Sequence, residues 1–384
     1  MARSARRIAI VTADLRPGVG GIGDYSLCFA EGLAQAGVTT GLFALAAQGD
    51  AEAGLLSLPA SLNPALRAER ASAALLSFQP DCVFLQMAPD LYGPAPLPLL
   101  AGALQGQRLA VMVHETGALL SDPPEQAGGD PSFFGALRAL QAAMVFTTNP
   151  PFQSALAAAD LPSQLLPLFS HLPVSARQPG AWLDQAFKEA GLAREGNWLL
   201  IGLFGRVRDD WSAEESLGQI SATAAELGRQ PLLLIFGQSQ LTAARLQTWR
   251  DRHPDLCFLT LGSQPAERLV ALLNVLHLLL TPTPLAYLGK ASTAAAAAAQ
   301  GVPIFVGAGA PQLDRPPAFQ GAPIIPLGGD LRPALAREPG SGPFRPQRAD
   351  TIRRFLVALD LQSEQGPGLA GLAGQCDLER QAGS

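Results

Sequence analysis

Short, uninterrupted apolar runs recur along this chain, each followed by small or polar residues and then by a stretch of helical periodicity. The first, Arg-Ile-Ala-Ile-Val-Thr at residues 7–12, is rich in β-branched side chains and shows no polar alternation. Such a strand is buried on both faces, the condition met inside a parallel sheet covered by helices and not in a half-wet antiparallel one. The same rhythm predicts strands over 39–45, 81–86, 109–113, 143–148 and 164–168, and again over 198–204, 232–237, 257–261, 275–280 and 304–306. Parallel neighbours need crossover connections, so the chain is confined to the α/β class.

A chain of 384 residues exceeds one ordinary core and suits two domains. The rhythm breaks between Pro173 and Asn197, where Pro173, Pro179 and Gly180 surround a short amphipathic helix at 182–190. The expected organisation is an N-terminal βα domain over 1–174, a linker over 175–196, a second βα domain over 197–345, a C-terminal helix over 346–362 and a frayed, glycine-rich tail over 363–384. A net charge of −5 argues against nucleic-acid partners, whose phosphates call for a basic face. Cys28, Cys82, Cys257 and Cys376 have neither metal spacing nor a disulfide framework, and the first three read as small buried residues of a reducing cytosol. The apolar run after the basic start meets Asp14 too early for a signal peptide, and 269–280 is interrupted by Asn274 and His277, short of a membrane span. A cytoplasmic protein is expected, with peripheral contact at a membrane surface left open.

Three stretches carry chemistry. Residues 289–301, Gly-Lys-Ala-Ser-Thr-Ala-Ala-Ala-Ala-Ala-Ala-Gln-Gly, place a glycine and the hydroxyls of Ser292 and Thr293 at the start of an alanine helix, ahead of the apolar run at 302–306. Backbone amides at a helix start attract anions, so this reads as a phosphate seat. Lys290 is one of two lysines in a chain that otherwise uses arginine, which suits a point-charge partner of phosphate. The plainer reading is a loop lysine before an ordinary buried helix. Secondly, the glycine-rich loop at 14–26 contains a formal G-x-G-x-x-G at 18–23, with a helix expected over 26–35. A dinucleotide fingerprint is disfavoured, because the loop is too long for the tight strand-to-helix turn and the next strand ends in Ala46-Ala47-Gln48 without an acidic ribose partner. Thirdly, the strand at 109–113 ends in His114-Glu115-Thr116, a histidine where open α/β sheets put ligands, although a lone histidine is as often structural.

With these pieces in order, nearly the whole chain resembles the family 4 type of retaining glycosyltransferases. The resemblance implies the GT-B architecture: two facing Rossmann-like βαβ domains with a cleft between them, the N-terminal one on the acceptor side and the C-terminal one binding the nucleotide-sugar donor. Gly20-Gly21-Ile22-Gly23-Asp24-Tyr25-Ser26 is similar to the family's glycine loop beside the donor diphosphate and the acceptor. In those terms Gly20 and Gly21 contact diphosphate, and Asp24, Tyr25 and Glu115 are candidates for acceptor or sugar contacts. His114 matches the histidine that touches the donor sugar, and is the candidate catalytic residue. Leu203-Phe204-Gly205-Arg206 matches the opening strand and basic loop of the donor domain, and 289–303 the segment holding phosphate and ribose. Diphosphate contacts are therefore implied for Arg206, Arg208, Lys290, Ser292 and Thr293.

Two departures accompany the likeness. Trp211 stands where the family commonly has a lysine, and Leu288 and Ala296 where it has paired glutamates. The implied reaction is transfer of a hexosyl unit from a nucleoside diphosphate sugar to an acceptor hydroxyl, with retention, with no cofactor and no metal. The acceptor is undefined, whether glycan, lipid-linked or small molecule, and variable loops such as 89–98 and 121–131 would choose it. The alternatives are a catalytically silent sugar-nucleotide-binding or scaffold protein, and a sugar-nucleotide epimerase or hydrolase of the same fold. Oligomeric state is open.

Overall fold

The computed structural model describes residues 6–17, 20–47, 54–89, 91–92, 101–102, 104–117, 130–193, 195–308, 316–343 and 347–359. The expected frayed tail, Cys376, and most of the two loops expected to choose an acceptor lie outside the described residues. The chain divides into two compact units, Leu172–Gln347 and the remainder, to which the chain returns at Arg348.

The first unit is built on a seven-stranded sheet of order β3-β2-β1-β4-β5-β6-β7, every pair parallel. Its strands are β1 (Arg7–Thr12), β2 (Thr39–Ala47), β3 (Leu56–Pro59), β4 (Cys82–Met87), β5 (Leu109–Val113), β6 (Met144–Thr147) and β7 (Gln164–Leu165). The central strands are fully buried because every residue of β4 and β5 is enclosed, which explains their continuous apolar sequences. One face packs an aliphatic layer including Val11, Leu85, Met87, Val111 and Val113. The other meets aromatic rings: Phe84 and Phe146 of the sheet, Phe29 of the helix Gly21–Gln35, and Phe355 of the C-terminal helix Arg348–Ala358.

The second unit carries a six-stranded parallel sheet of order β10-β9-β8-β11-β12-β13. Here β8 is Trp198–Phe204, β9 Gln230–Phe236, β10 Cys257–Gly262, β11 Leu278–Thr281, β12 Ile304–Val306 and β13 Ile324–Pro326. The expected linker carries the helix Ala181–Glu189, which buries Leu183 and Phe187. Two side-chain amides hold its approach within this unit: Asn274 Nδ2 donates to the carbonyls of Ser175 and Arg177, both at 2.7 Å, and Gln300 Nε2 to Pro173 O at 2.9 Å.

In each sheet the strand order reverses beside the first strand of the unit, between β1 and β4 and between β8 and β11. Outside the carboxyl ends of the strands at such a reversal, open α/β sheets form their ligand crevice.

The structure corrects several sequence-based expectations. The first helix starts at Gly21, not at residue 26, so the second half of the presumed glycine loop is its opening turns. Gly23 fits there because a Cβ at that position would lie 2.7 Å from the carbonyl oxygen of Asp14. The pattern Ser212-Ala213-Glu214-Glu215 reads in sequence as a capping box that starts a helix at Ser212, but the helix Glu214–Glu226 begins after Ala213, with no side-chain cap. The strand expected over 164–168 stops at Leu165, two residues before Pro167, which has no N–H to offer a ladder. Cys82 is buried as expected, whereas Cys28 and Cys257 are half-buried.

Candidate functional site

In the first unit the predicted residues gather at the carboxyl edge of the sheet. Gly20, in extended conformation, precedes the first helix without a side-chain cap, and Gly21 is its first residue. Both are exposed, so the helix opens on bare backbone, where N–H groups have no intrahelical partners. Asp24 lies half-buried in the first turn, and Glu115 is exposed. Tyr25 turns inward: it stacks on Phe169 with ring centroids 4.9 Å apart and meets the His114 ring edge-on at 5.4 Å. Burial pushes its hydroxyl far above the usual phenol range.

His114 follows β5 directly. Its N–H donates to Met87 O at 2.8 Å, and its Nε2 lies 2.8 Å from Oε1 of Gln86 on β4. Burial lowers its pKa to about 3, so the imidazole is neutral throughout the physiological range. His171 is also lowered by burial, against the opposing field of Asp24.

Sequence reasoning missed Gln86, Thr12, Thr116 and Asn149. All are buried, and among the described residues Gln86 Nε2, Thr12 Oγ1, Thr116 Oγ1 and Asn149 Oδ1 have no hydrogen-bond partner. The available signal was a polar residue at the carboxyl end of a run that is otherwise apolar, as in Cys-Val-Phe-Leu-Gln-Met.

In the second unit Gly205 follows β8 with φ of +83°, and a Cβ there would lie 2.8 Å from Thr293 Cγ2. This contact brings the loop of Arg206 against the start of the alanine helix Ser292–Ala299. That helix has no side-chain cap at Ala291, and Ser292 and Thr293, its first two residues, are half-buried. Its remaining alanines are at most 1% exposed. Lys290 closes the 3-10 turn Leu285–Lys290 immediately before it.

The two loop arginines differ. Arg206 is exposed, whereas Arg208 binds Asp210, with Nε donating to Oδ1 at 2.8 Å and a second contact from Nη2 to Oδ2. That bond holds the Asp210 carboxyl below its usual range. Arg245 braces the same turn, donating to the carbonyls of Arg208, at 2.8 Å, and of Trp211. Trp211 is buried, and its indole N–H donates to Gly307 O at 2.9 Å. Leu288 and Ala296 are fully enclosed in the core. Among the described residues no group of three or more His, Cys, Asp or Glu side chains could hold a metal ion, and no helix is long and apolar enough to cross a membrane.

No family model and no curated protein matches the sequence. Among solved structures the chain is similar to UDP-GlcNAc 2-epimerase from Methanocaldococcus jannaschii, with a TM-score of 0.55, 11% identity, and coverage of 93% of this chain and 100% of that one. It is similar to WaaG, a glycosyltransferase involved in lipopolysaccharide biosynthesis, with a TM-score of 0.53, 14% identity, and coverage of 92% and 96%. UDP-GlcNAc 2-epimerase from Neisseria meningitidis, bound to UDP-GlcNAc, gives 0.53, 10%, and coverage of 93% and 100%. These likenesses establish the fold class: two parallel-sheet, Rossmann-like α/β domains of the GT-B type.

Proposed function

We propose that the chain is a glycosyltransferase related to the family 4 type, moving a hexosyl unit from a nucleoside diphosphate sugar to an acceptor hydroxyl with retention. The observation that carries this reading is the approach of Gly205 to Thr293, which sets the loop of Arg206 against the uncapped start of the alanine helix. In the reaction the bond from the anomeric carbon to the diphosphate oxygen breaks, and that carbon joins the acceptor oxygen. The diphosphate leaves with the bonding electrons, and the acceptor gives up its hydroxyl proton. Developing negative charge on the leaving group is the main electrostatic problem, and preorganised amides and cations answer it. Arg206, Lys290 and the amides at Ser292 and Thr293 supply them in this proposal. The bare start of the first helix, at Gly20 and Gly21, offers further donors.

Arg208 is a weaker candidate, because Asp210 already neutralises it. The reading uses neither a metal nor a cofactor, and a nucleotide-sugar substrate suits the cytosol. His114 would touch the sugar as a neutral group, with the half-buried Asp24 and the exposed Glu115 as candidates for contact with an acceptor. Tyr25 supports the histidine ring from inside the fold.

A second reading, epimerisation of the nucleotide sugar, is favoured by the likeness to two epimerases. Inverting a sugar carbon through loss of its proton requires a base; at this edge burial keeps Tyr25 as the protonated phenol, and the imidazole of His114, although unprotonated, is a weak base with its pKa lowered to about 3. That observation favours transfer. The test is calorimetric titration with UDP, GDP, TDP and ADP, then incubation with UDP-GlcNAc and UDP-glucose, resolving free UDP from epimerised nucleotide sugar. Slow UDP release is expected. Accumulation of the C2 epimer would select the second reading, and absence of binding to every nucleotide would dismiss both.

A further inference from the structure

Gln86 is wholly buried near the carboxyl end of β4, beside the point where the strand order of the first sheet reverses. Its side-chain oxygen lies 2.8 Å from Nε2 of His114. An amide oxygen can only accept, so the ring nitrogen facing it carries the proton and Nδ1 keeps its lone pair. The backbone N–H of His114 is tied to Met87 O, and Tyr25 stands edge-on to the ring at an interplanar angle of 82°. Exposure of 8% remains to the histidine.

The surroundings are costly for the fold. Gln86 Nε2, Thr12 Oγ1 and Tyr25 OH are buried without partners among the described residues, and each such atom loses its hydration with nothing in return. An apolar residue at position 86 would serve the core better. The bond to His114 is the one side-chain hydrogen bond that the glutamine makes among the described residues, and it gives the position a purpose.

We propose that Gln86 is a positioning residue that holds His114 as its Nε2–H tautomer, leaving Nδ1 to accept a hydrogen bond from an uncharged hydroxyl of the sugar substrate. This rests on the reading of His114 as the sugar contact. The titratable groups nearest in contact or in sequence are Tyr25, which touches the ring, Asp24 on the helix of Tyr25, and Glu115, next in the chain. Tyr25 is held neutral by burial, and Asp24 acts on His171. A lone pair selects for a hydroxyl proton and repels a carboxylate, so the position discriminates neutral hexoses from uronic acids.

The test is ¹⁵N NMR of the imidazoles in the full chain, with the His114 signals identified by their loss in His114→Phe. A protonated Nε2, a bare Nδ1 and no titration between about pH 5 and 8 are expected. Gln86→Leu should mix the tautomers and lower kcat/KM for UDP-GlcNAc or UDP-glucose by about tenfold to a hundredfold with UDP affinity unchanged. Gln86→Glu should restore a single tautomer and bring the His114 titration into the measured range. A wild-type ring protonated at Nδ1, or a tautomer and kcat/KM indifferent to Gln86→Leu, would overturn the role of Gln86. The wild-type spectrum decides this even where a variant fails to fold. Intact UDP binding with the wrong tautomer condemns this inference alone, whereas failure of the wild type to bind UDP removes the nucleotide-sugar reading and the sugar hydroxyl with it.

Discussion

Arg206 and Arg208 stand two positions apart on the same loop, yet only one has its charge to spare. Asp210 accepts from both Nε and Nη2 of Arg208, while Arg206 points into solvent. A charge-assisted bond to phosphate contributes about 1.5–3 kcal/mol, so Arg206→Ala and Lys290→Ala should each weaken UDP binding by roughly tenfold to a hundredfold. Arg208→Ala should cost less than about tenfold, since its ion pair is at the protein surface and already satisfied. Calorimetric titration of the three variants checks the order, and equal losses for Arg206 and Arg208 would move both into the phosphate seat. The sequence presents these arginines as equals, because it displays charge and not partnership. It likewise shows Trp211 as a missing lysine, without revealing that the indole is bonded to Gly307 O and sealed into the core. Gln86 is silent in the sequence for a related reason: one polar residue in an apolar run says that something must satisfy it, and only the sheet register says what.

At the scale of elements, most of the strands were legible because burial on both faces leaves an unmistakable apolar run, and β1, β5, β8 and β12 have the bounds that the sequence suggested. The short edge strands β3 and β13 were not, each being too brief to show a pattern and each containing a proline. The early start of the first helix was hidden too, because glycine is a poor helix former and the close approach to Asp14 O that favours Gly23 is a tertiary contact. Gly205 makes the same point with an energetic consequence. Its φ of +83° and the proximity of Thr293 leave no room for a side chain. Gly205→Ala should destabilise the second unit by about 1–2 kcal/mol from the left-handed backbone alone and weaken UDP binding besides, by shifting the loop of Arg206. An unchanged urea midpoint would show that the loop yields freely.

The amino-terminal edge of the second sheet adds a pH dependence. Leu200 N–H donates to Nδ1 of His277, and the Arg229 guanidinium lies 3.2 Å from Nε2, so burial and that cation lower the pKa to about 4. Protonation would break the Leu200 bond and set two cations together. The unfolded chain takes up this proton near pH 6.5 while the folded one resists until about 4. Stability therefore falls as the pH drops through that window and levels off below it, by about 3 kcal/mol at most. His277→Gln should flatten this slope in urea titrations across the range, and an undiminished slope would assign the acid sensitivity elsewhere.

For the whole molecule, the informative feature is that the first unit is discontinuous in sequence. The chain leaves it after His171 and returns at Arg348. The returning helix completes the aromatic layer: Phe355 lies with its ring centroid 4.4 Å from Phe84, 5.1 Å from Phe29 and 5.6 Å from Phe146. Ile352 packs where Gly32 leaves space, Thr351 Oγ1 donates to Pro167 O at 3.0 Å, and Arg108 Nη2 donates to Leu359 O at 2.8 Å. An amphipathic pattern announces that one face of this helix is covered, but not which core covers it, and the sequence order would have assigned it to its neighbour. Phe355→Ala removes a fully buried ring from the first unit and should cost about 3–5 kcal/mol there. All four tryptophans, Trp182, Trp198, Trp211 and Trp249, belong to the second unit, so indole fluorescence reports its unfolding while far-ultraviolet circular dichroism reports both. In urea titrations of Phe355→Ala part of the dichroism transition should move to lower denaturant while the fluorescence midpoint holds. If the fluorescence midpoint moved by the same amount, the two units would unfold as one cooperative block, and the stability of the first would no longer be separable from that of the second.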